Sequence, residues 1–498
     1  ELPDDITQLK QMLMQLQQQH QAQAEEISEL KAQLEHALAQ LKLGRAKRFG
    51  RQSEKTPRGT FNEAEQQSQL PPATKSSQKT GRKPLPAGLE REERVYTLDE
   101  PSCRCCGDTM QICGSEDSEQ LKIVPARISV IKHRRTKYAC RHCEQTATST
   151  QLITAPKPAQ PIPRSIASPE ALAAVVTAKY CDALPLYRQC DILARIGLEI
   201  SRSTLANWCI KAGELLQPLL EQMRRELLSQ AVVCADETRV QVLSEPEREA
   251  ETQSYMWVYR SGEFHPQPVV LYDYQPGRGQ QYPQTFLEGY RGYLLCDGYG
   301  VYGTLKEVTL SGCWAHARRK FSDALKAQPK KTGKATVALG YIQKLYAIER
   351  SAKGLPPDTR REIRRQQAGP LLDTFKAWLT ESADTLLPKS YIGEAVNYTL
   401  KQWDKLSRYL EDGELSIDNN VTERDIRPFT TGRKNWLFSQ SVGGAHASAA
   451  LYSIVMTCRA NDINPYFYFQ RLFTELPQRP PGADLTDLLP WNVALDAE

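Results

Sequence analysis

Two apolar, strand-forming runs each carry an aspartate. Asp236 lies in VVCADETRVQVL and Asp297 in YLLCDGYGVY. A carboxylate inside such a run loses its hydration, a cost that only pairing, hydrogen bonding or a bound cation offsets. Any fold built on these runs must therefore bring a partner to each acid, or bring both acids to one cation. A structural, hydrogen-bonded aspartate is the commoner outcome for either residue alone. A third acid, Glu423, sits in the polar, helix-starting segment SIDNNVTERDIRP.

The segments between the aspartates narrow the choice. SYMWVYRSG and PVVLYDYQP are β-like and bounded by turn residues, and QTFLEGY is helix-like. Three strands, a helix and a strand is the order of the ribonuclease H-like fold, in which the first and fourth strands are neighbours. The expected fold class is multidomain α+β with a ribonuclease H-like α/β core, and Asp236 and Asp297 are expected side by side. A helical insertion is expected over about 322–410, before the helix of Glu423. Asp418 or Asn419 is expected to cap that helix. Asn420, Glu423 and Arg427 then share a face, and Pro428 is expected to end or kink the helix.

Two strand aspartates and a helix glutamate form a donor set for two Mg²⁺ or Mn²⁺ ions in phosphoryl transfer on DNA. Glu237 points to the opposite face of its strand, and Asp425 lies roughly 200° around its helix from Glu423, so both are poorer ligands. His316, followed by Arg318, Arg319 and Lys320, begins the helix after the fifth strand. It is a candidate to contact the scissile phosphate or orient water, weighed evenly against a structural histidine. Arg424, Arg427, Arg433 and Lys434 flank the third acid and suit phosphate contacts. Trp436 and Phe438 are expected to pack beneath the helix rather than stack on a base.

A chain of 498 residues is too long for one core. Residues 1–43 read as a coiled coil. Heptad positions a hold Ile6, Leu13, His20, Ile27, Leu34 and Leu41, and positions d hold Leu9, Leu16, Gln23, Leu30 and Ala37. Self-association is favoured over packing of this helix on its own protein. Residues 44–91 read as a basic linker. From Lys42 to Arg58 there are seven Lys/Arg against one acid, with Arg45, Lys47, Arg48 and Arg51 as candidate DNA contacts.

Residues 92–152 carry Cys103-x-x-Cys106 and Cys140-x-x-Cys143, the spacing of a zinc ribbon with a closed, structural Zn²⁺ site. Cys105, Cys113, His133 and His142 are nearby competitors. Residues 160–228 read as a helical domain with helix–turn–helix grammar. Ser201 is the expected cap, and Ser203, Thr204 and Asn207 stand at the start of a candidate recognition helix. The catalytic domain is expected over 229–450, with a C-terminal segment over 451–498. No apolar run is of membrane-spanning length and no secretory leader opens the sequence. Together with 13 scattered cysteines, this points to a reducing cytoplasm.

The longer words resemble one family. RAKRFGRQSEK, CADET, CDGYGVY, CWAHARRKF, NNVTERDIRP, GRKNWLFSQSVGGAHASA and NPYFYFQRLFTELP are similar to segments of the bacterial insertion-sequence-sixty-six transposases. The resemblance spans nearly the whole chain. It implies a DDE transposase with Asp236, Asp297 and Glu423 as metal ligands, which cleaves and joins strands at the element's terminal repeats and in target DNA. It also implies that accessory proteins of the same element take part. Two other readings compete. One is a sequence-specific DNA-binding regulator on a catalytically silent fold, and the other is a junction-resolving nuclease.

Overall fold

The computed structural model describes residues 6–49, 128–139, 152–327 and 333–493. The chain forms two compact units: Gln66–Ala155, and Glu1–Glu65 together with Pro156–Glu498.

The larger unit begins with α1 (Ile6–Phe49). Leu13, Leu16, Ile27, Leu30, Leu34 and Leu41 of the heptad seam are each more than half exposed. Near the helix end Ala39 and Leu43 are buried. The helix does not stop at the expected linker boundary. It continues through Gly44 and Arg45 to Phe49, because Ala, Lys and Arg favour helix and Gly44 meets no obstacle. Arg45 is exposed, Lys47 and Arg48 lie on this last turn, and Arg51 lies outside the described residues.

In the smaller unit, β1 (Lys137–Ala139) pairs antiparallel with β2 (Leu152–Thr154). Arg135 Nε donates to the Ala155 carbonyl at 2.6 Å. His133 is exposed, while Cys103, Cys106, Cys140 and Cys143, with Cys105, Cys113 and His142, lie outside the described residues.

Four helices then lead into the sheet: α2 (Pro169–Tyr180), α3 (Leu186–Arg195), α4 (Arg202–Leu215) and α5 (Gln217–Leu228). Gly197, at φ +89°, ends α3, and the Leu198 N–H closes back on the Leu193 carbonyl at 2.9 Å. Ser201 caps α4 by accepting from the Thr204 N–H at 3.1 Å.

The sheet runs β3 (Val232–Ser244), β4 (Gln253–Ser261), β5 (Val270–Gln275), α6 (Gln281–Phe286), β6 (Tyr293–Cys296) and β7 (Thr309–Gly312). Its spatial order is β5-β4-β3-β6-β7. β3, β4 and β5 are antiparallel neighbours, while β6 lies parallel to β3 and β7 parallel to β6.

Next come α7 (Trp314–Ala327), α8 (Lys334–Ser351), α9 (Pro357–Ile363), α10 (Gly369–Asp384), α11 (Tyr391–Lys401) and α12 (Trp403–Ser407). These pack a core of their own around Trp314, Phe375, Leu379, Val396 and Trp403. The start of this group, α7, is the helix against which α1 lies.

The chain returns to the sheet as α13 (Asn420–Trp436), followed by β8 (Ser439–Ser441), α14 (Val442–Ala460) and α15 (Pro465–Glu475). α14 is buried on nearly every side. It closes the β5 edge of the sheet: the Val270 N–H donates to Thr457 Oγ1 at 3.0 Å and the Tyr272 N–H to Ser453 Oγ at 2.8 Å. Edge-strand donors are thereby withheld from other chains. Its opposite side meets α4 at Gly213, where an added Cβ would fall 2.8 Å from the Ala447 Cα. Helices α2–α5 thus share one apolar core with the sheet, α14 and α15. No helix among the described residues is long and apolar enough to cross a membrane.

Candidate active site

The geometry of the three acids starts from strand register. β3 pairs β6 with Val232 opposite Tyr293 and Cys234 opposite Leu295. Extending that register by two residues sets Asp236 opposite Asp297, on the same face of adjacent parallel strands. Asp297 stands just beyond the carboxyl end of β6, where its Oδ1 accepts from the Tyr299 N–H at 2.8 Å. Asp236 Oδ1 accepts from the Glu237 N–H at 2.8 Å.

Burial first, then the charge of Glu237, and beyond these Asp297 and Glu423, push the Asp236 carboxyl up to about 8. Asp236 therefore feels both other acids. A half-buried carboxylate whose charge is disfavoured by burial and by neighbouring acids suits a divalent cation.

Glu423 lies in the first turn of α13. That turn is fastened to β3 beside Asp236. Asn419 Nδ2 donates to the Ala235 carbonyl at 2.9 Å, and the Thr422 hydroxyl donates to Asn419 Oδ1 at 2.6 Å. Asn419 is thus the capping position but makes no side-chain cap. Asp418 Oδ1 accepts from the Asn420 N–H at 3.0 Å, and its Oδ2 accepts from the Tyr346 hydroxyl at 2.7 Å. Sequence reasoning saw Asn419 only as a cap, and nothing local signals its docking partner.

Pro428 lies inside α13, which continues to Trp436, so of the two expected outcomes, an end or a kink, the end does not occur. Ile426 and Phe429 are buried on either side of the proline and hold the helix in the core across the missing hydrogen bond.

Glu423 faces α7. Arg319 Nη2 donates to both of its carboxylate oxygens at 3.1 Å, and His316 Nε2 lies 3.8 Å from Oε1. Burial and the Arg319 charge push the His316 imidazole below its ordinary range, against the opposing pull of Glu423 and Asp297. Among the described residues, no three His, Cys, Asp or Glu side chains are gathered closely enough to hold one metal ion. The two aspartates lie two residues beyond Cys234 and Leu295, the last paired residues of β3 and β6, while Glu423 is paired with Arg319.

The two adjacent acids have other work. Glu237 accepts from Arg278 Nε at 2.7 Å and from the Tyr302 hydroxyl at 2.7 Å. Arg278 stacks on Tyr299, 3.6 Å from the ring centroid, and the Tyr299 hydroxyl donates to the Arg278 carbonyl at 2.8 Å. This network joins the residue after Asp236 to the loop after Asp297. Asp425 pairs with Arg260 on β4 at 2.6 Å.

Of the basic candidates, Arg427 and Lys434 are exposed, and Arg318, Arg424 and Arg433 are half-buried. At the start of α4, Ser203 and Asn207 are exposed, but the Ser203 and Thr204 hydroxyls already bond to Ser201 Oγ at 2.8 Å. Trp436 packs against Tyr452, 6.4 Å between centroids. Phe438, expected to pack likewise, is exposed, because the chain turns away from the core after Trp436.

The family model described as "Transposase IS66 family" matches residues 164–447, which contain all three acids. The chain belongs to the IS66 transposase family. The "zinc-finger binding domain of transposase IS66" matches residues 100–144, and the "IS66 C-terminal element" matches residues 453–491. Three relatives from Sinorhizobium fredii (strain NBRC 101917 / NGR234) are named as uncharacterized proteins. y4qI is 31% identical over 100% of this chain and 98% of its own length. y4jD is 30% identical over 83% of this chain and 82% of its own, and y4hP 30% identical over 82% and 76%. No solved structure matches the chain.

The Asn419 contacts generate a stability prediction. Asn419→Ala leaves the buried Ala235 carbonyl without its donor and Thr422 without its acceptor. Such losses cost about 1–3 kcal/mol per buried group. The urea midpoint should fall at unchanged slope, and an unaltered midpoint would refute the docking role.

Proposed function

We propose that this IS66-family transposase is a DDE enzyme that cleaves and joins DNA strands at the ends of a bacterial insertion sequence. The observation that supports the reading is the parallel β3–β6 pairing, whose extension by two residues would bring Asp236 beside Asp297, together with the docking of the first turn of Glu423's helix on the Ala235 carbonyl. The strand order β5-β4-β3-β6-β7 supports a ribonuclease H-like core. Asp236, Asp297 and Glu423 would hold two Mg²⁺ or Mn²⁺ ions. Such ions, when bound, supply activation of the attacking hydroxyl and charge neutralisation at the departing 3′-oxygen.

The chain's own residues do the rest. The Glu237–Arg278–Tyr299 network restrains the two aspartate-bearing segments against each other. Arg319 holds Glu423 in its rotamer and presents a guanidinium that suits the scissile phosphate. His316 Nε2, beside Glu423, can accept or return a proton at the reacting hydroxyl. Arg424, Arg427, Arg433 and Lys434 continue the positive surface along α13. A silent DNA-binding regulator would have no need for a carboxylate at Asp236 on which Asp297 and Glu423 both act.

Three tests follow from this reading. Asp297→Asn keeps the side-chain shape and removes a charged ligand. With Mg²⁺ and DNA carrying the element's ends, it should abolish cleavage and joining yet leave mobility-shift affinity nearly intact at one stated salt concentration. Wild-type cleavage by the variant would sink the mechanism.

Cys103, Cys106, Cys140 and Cys143 lie within the matched zinc segment. We assign them one structural Zn²⁺ per chain, and a Cys140→Ser variant should lose it on metal analysis. Retention of the full zinc content would overturn the ligand set.

The exposed heptad seam of α1 supports self-association, which would hold two DNA ends together. Removing residues 6–43 should lower the oligomer mass in light scattering. An unchanged mass would return the helix to an intramolecular role.

A further inference from the structure

The exit from α13 holds a feature that the catalytic reading does not use. Leu437 has φ +65° and ψ −50°, and the Phe438 N–H donates across it to the Trp436 carbonyl at 2.8 Å. This is a γ-turn of the rare, strained hand, at a residue with a bulky side chain. Burial does not offset the strain, since Leu437 is 65% exposed and Phe438 38% exposed.

Both flanks of the turn are anchored. Asn435 Nδ2 donates to the Ala183 carbonyl at 2.8 Å, and the Trp436 ring contacts Tyr452 and the Lys179 amine. Beyond the turn, Ser439 pairs with Val242, and Gln440 Nε2 donates to Ser244 Oγ at 3.1 Å. Two large apolar side chains are thus held outward on a rigid, strained turn.

The surface leading to them is basic. At 100° per residue, Arg427 and Lys434 fall within about 40° of the line of Glu423 on the helix. Both are exposed. A rise of about 1.5 Å per residue puts them some 6 and 16 Å from Glu423, and Leu437 about 21 Å away. That last span is close to six base pairs of duplex at roughly 3.4 Å each. One helix face therefore runs from the third acid, past two cations, to an apolar tip.

We propose that Leu437 and Phe438 form a wedge that enters a base step of the duplex flanking the cleavage site. Arg427 and Lys434 hold the phosphates between the wedge and the acids. The wedge unstacks and kinks that step, as apolar insertions do, and so bends the duplex onto the protein. The inference rests on the DNA-cleaving reading above.

The test uses the full chain and duplex element ends carrying 2-aminopurine at single positions about four to eight base pairs either side of the scissile phosphate. Wild-type binding should raise fluorescence severalfold at one step. Two variants are compared, L437A/F438A and L437G. Glycine accepts the positive φ without strain, so L437G should be at least as stable as wild type to urea. Both should keep mobility-shift affinity within about threefold, because the phosphate contacts remain. Both should lose the fluorescence rise. Each should cleave intact duplex about tenfold more slowly or worse, since a tenfold loss is ~1.4 kcal/mol of barrier and unstacking costs more than that. A mismatch at the same step should restore cleavage.

Cleavage by wild type without a fluorescence rise at any step overturns the wedge and leaves the catalytic reading standing. So does a variant that keeps the signal. Loss of oligomer mass in either variant would also overturn it, by showing that the tip packs on a second copy. Wild type that neither binds nor cleaves the ends overturns both readings.

Discussion

The parallel pairing of β3 with β6 is the contact on which the rest of the site depends. It is short, with Val232, Val233 and Cys234 opposite Tyr293, Leu294 and Leu295. Those residues are buried or nearly so, which makes the register costly to change. A slip of one residue would send Asp236 to the other face and put Glu237 in its place. The pairing therefore selects which of two neighbouring acids faces the site.

Around that pair the protein separates its buried charges by partner. Glu237 takes Arg278 and Tyr302, Asp425 takes Arg260, and Glu423 takes Arg319. Among the described residues Asp236 has no cationic partner and keeps a backbone donor, and its carboxyl is pushed up to about 8 by burial, Glu237 and its acidic neighbours. Asp236 lies within the central strand of the sheet. A charge left in that state marks a site where a cation or a substrate group is expected to supply the balance.

The edges of the core are handled with equal economy. The hydroxyls of Ser453 and Thr457 on α14 occupy the outward donors of β5, and Gly213 lets α4 approach the other side of α14. The helices before the sheet and the segment after it thus become parts of one core. One family match, residues 164–447, spans helices α2–α5 and the sheet.

Much of this was legible from local pattern. Strand alternation, the three-strand, helix, strand order and the position of Glu423 near a helix start follow from contiguous residues, because periodicity and capping chemistry act over a few positions. The heptad of α1 and the paired Cys-x-x-Cys spacings are equally local signals. The roles of Asn419, Arg278 and Arg319, the passage of α13 through Pro428 and the exposure of Phe438 were not legible. Each depends on a partner from another part of the chain: Ala235 for Asn419, Glu237 for Arg278, Glu423 for Arg319. The amino-acid sequence by itself determined which segments are strands and helices and which acids lie within them. Only the tertiary structure decided which acids stand together and which are neutralised, because long-range register and packing choose among partners that local chemistry leaves equivalent.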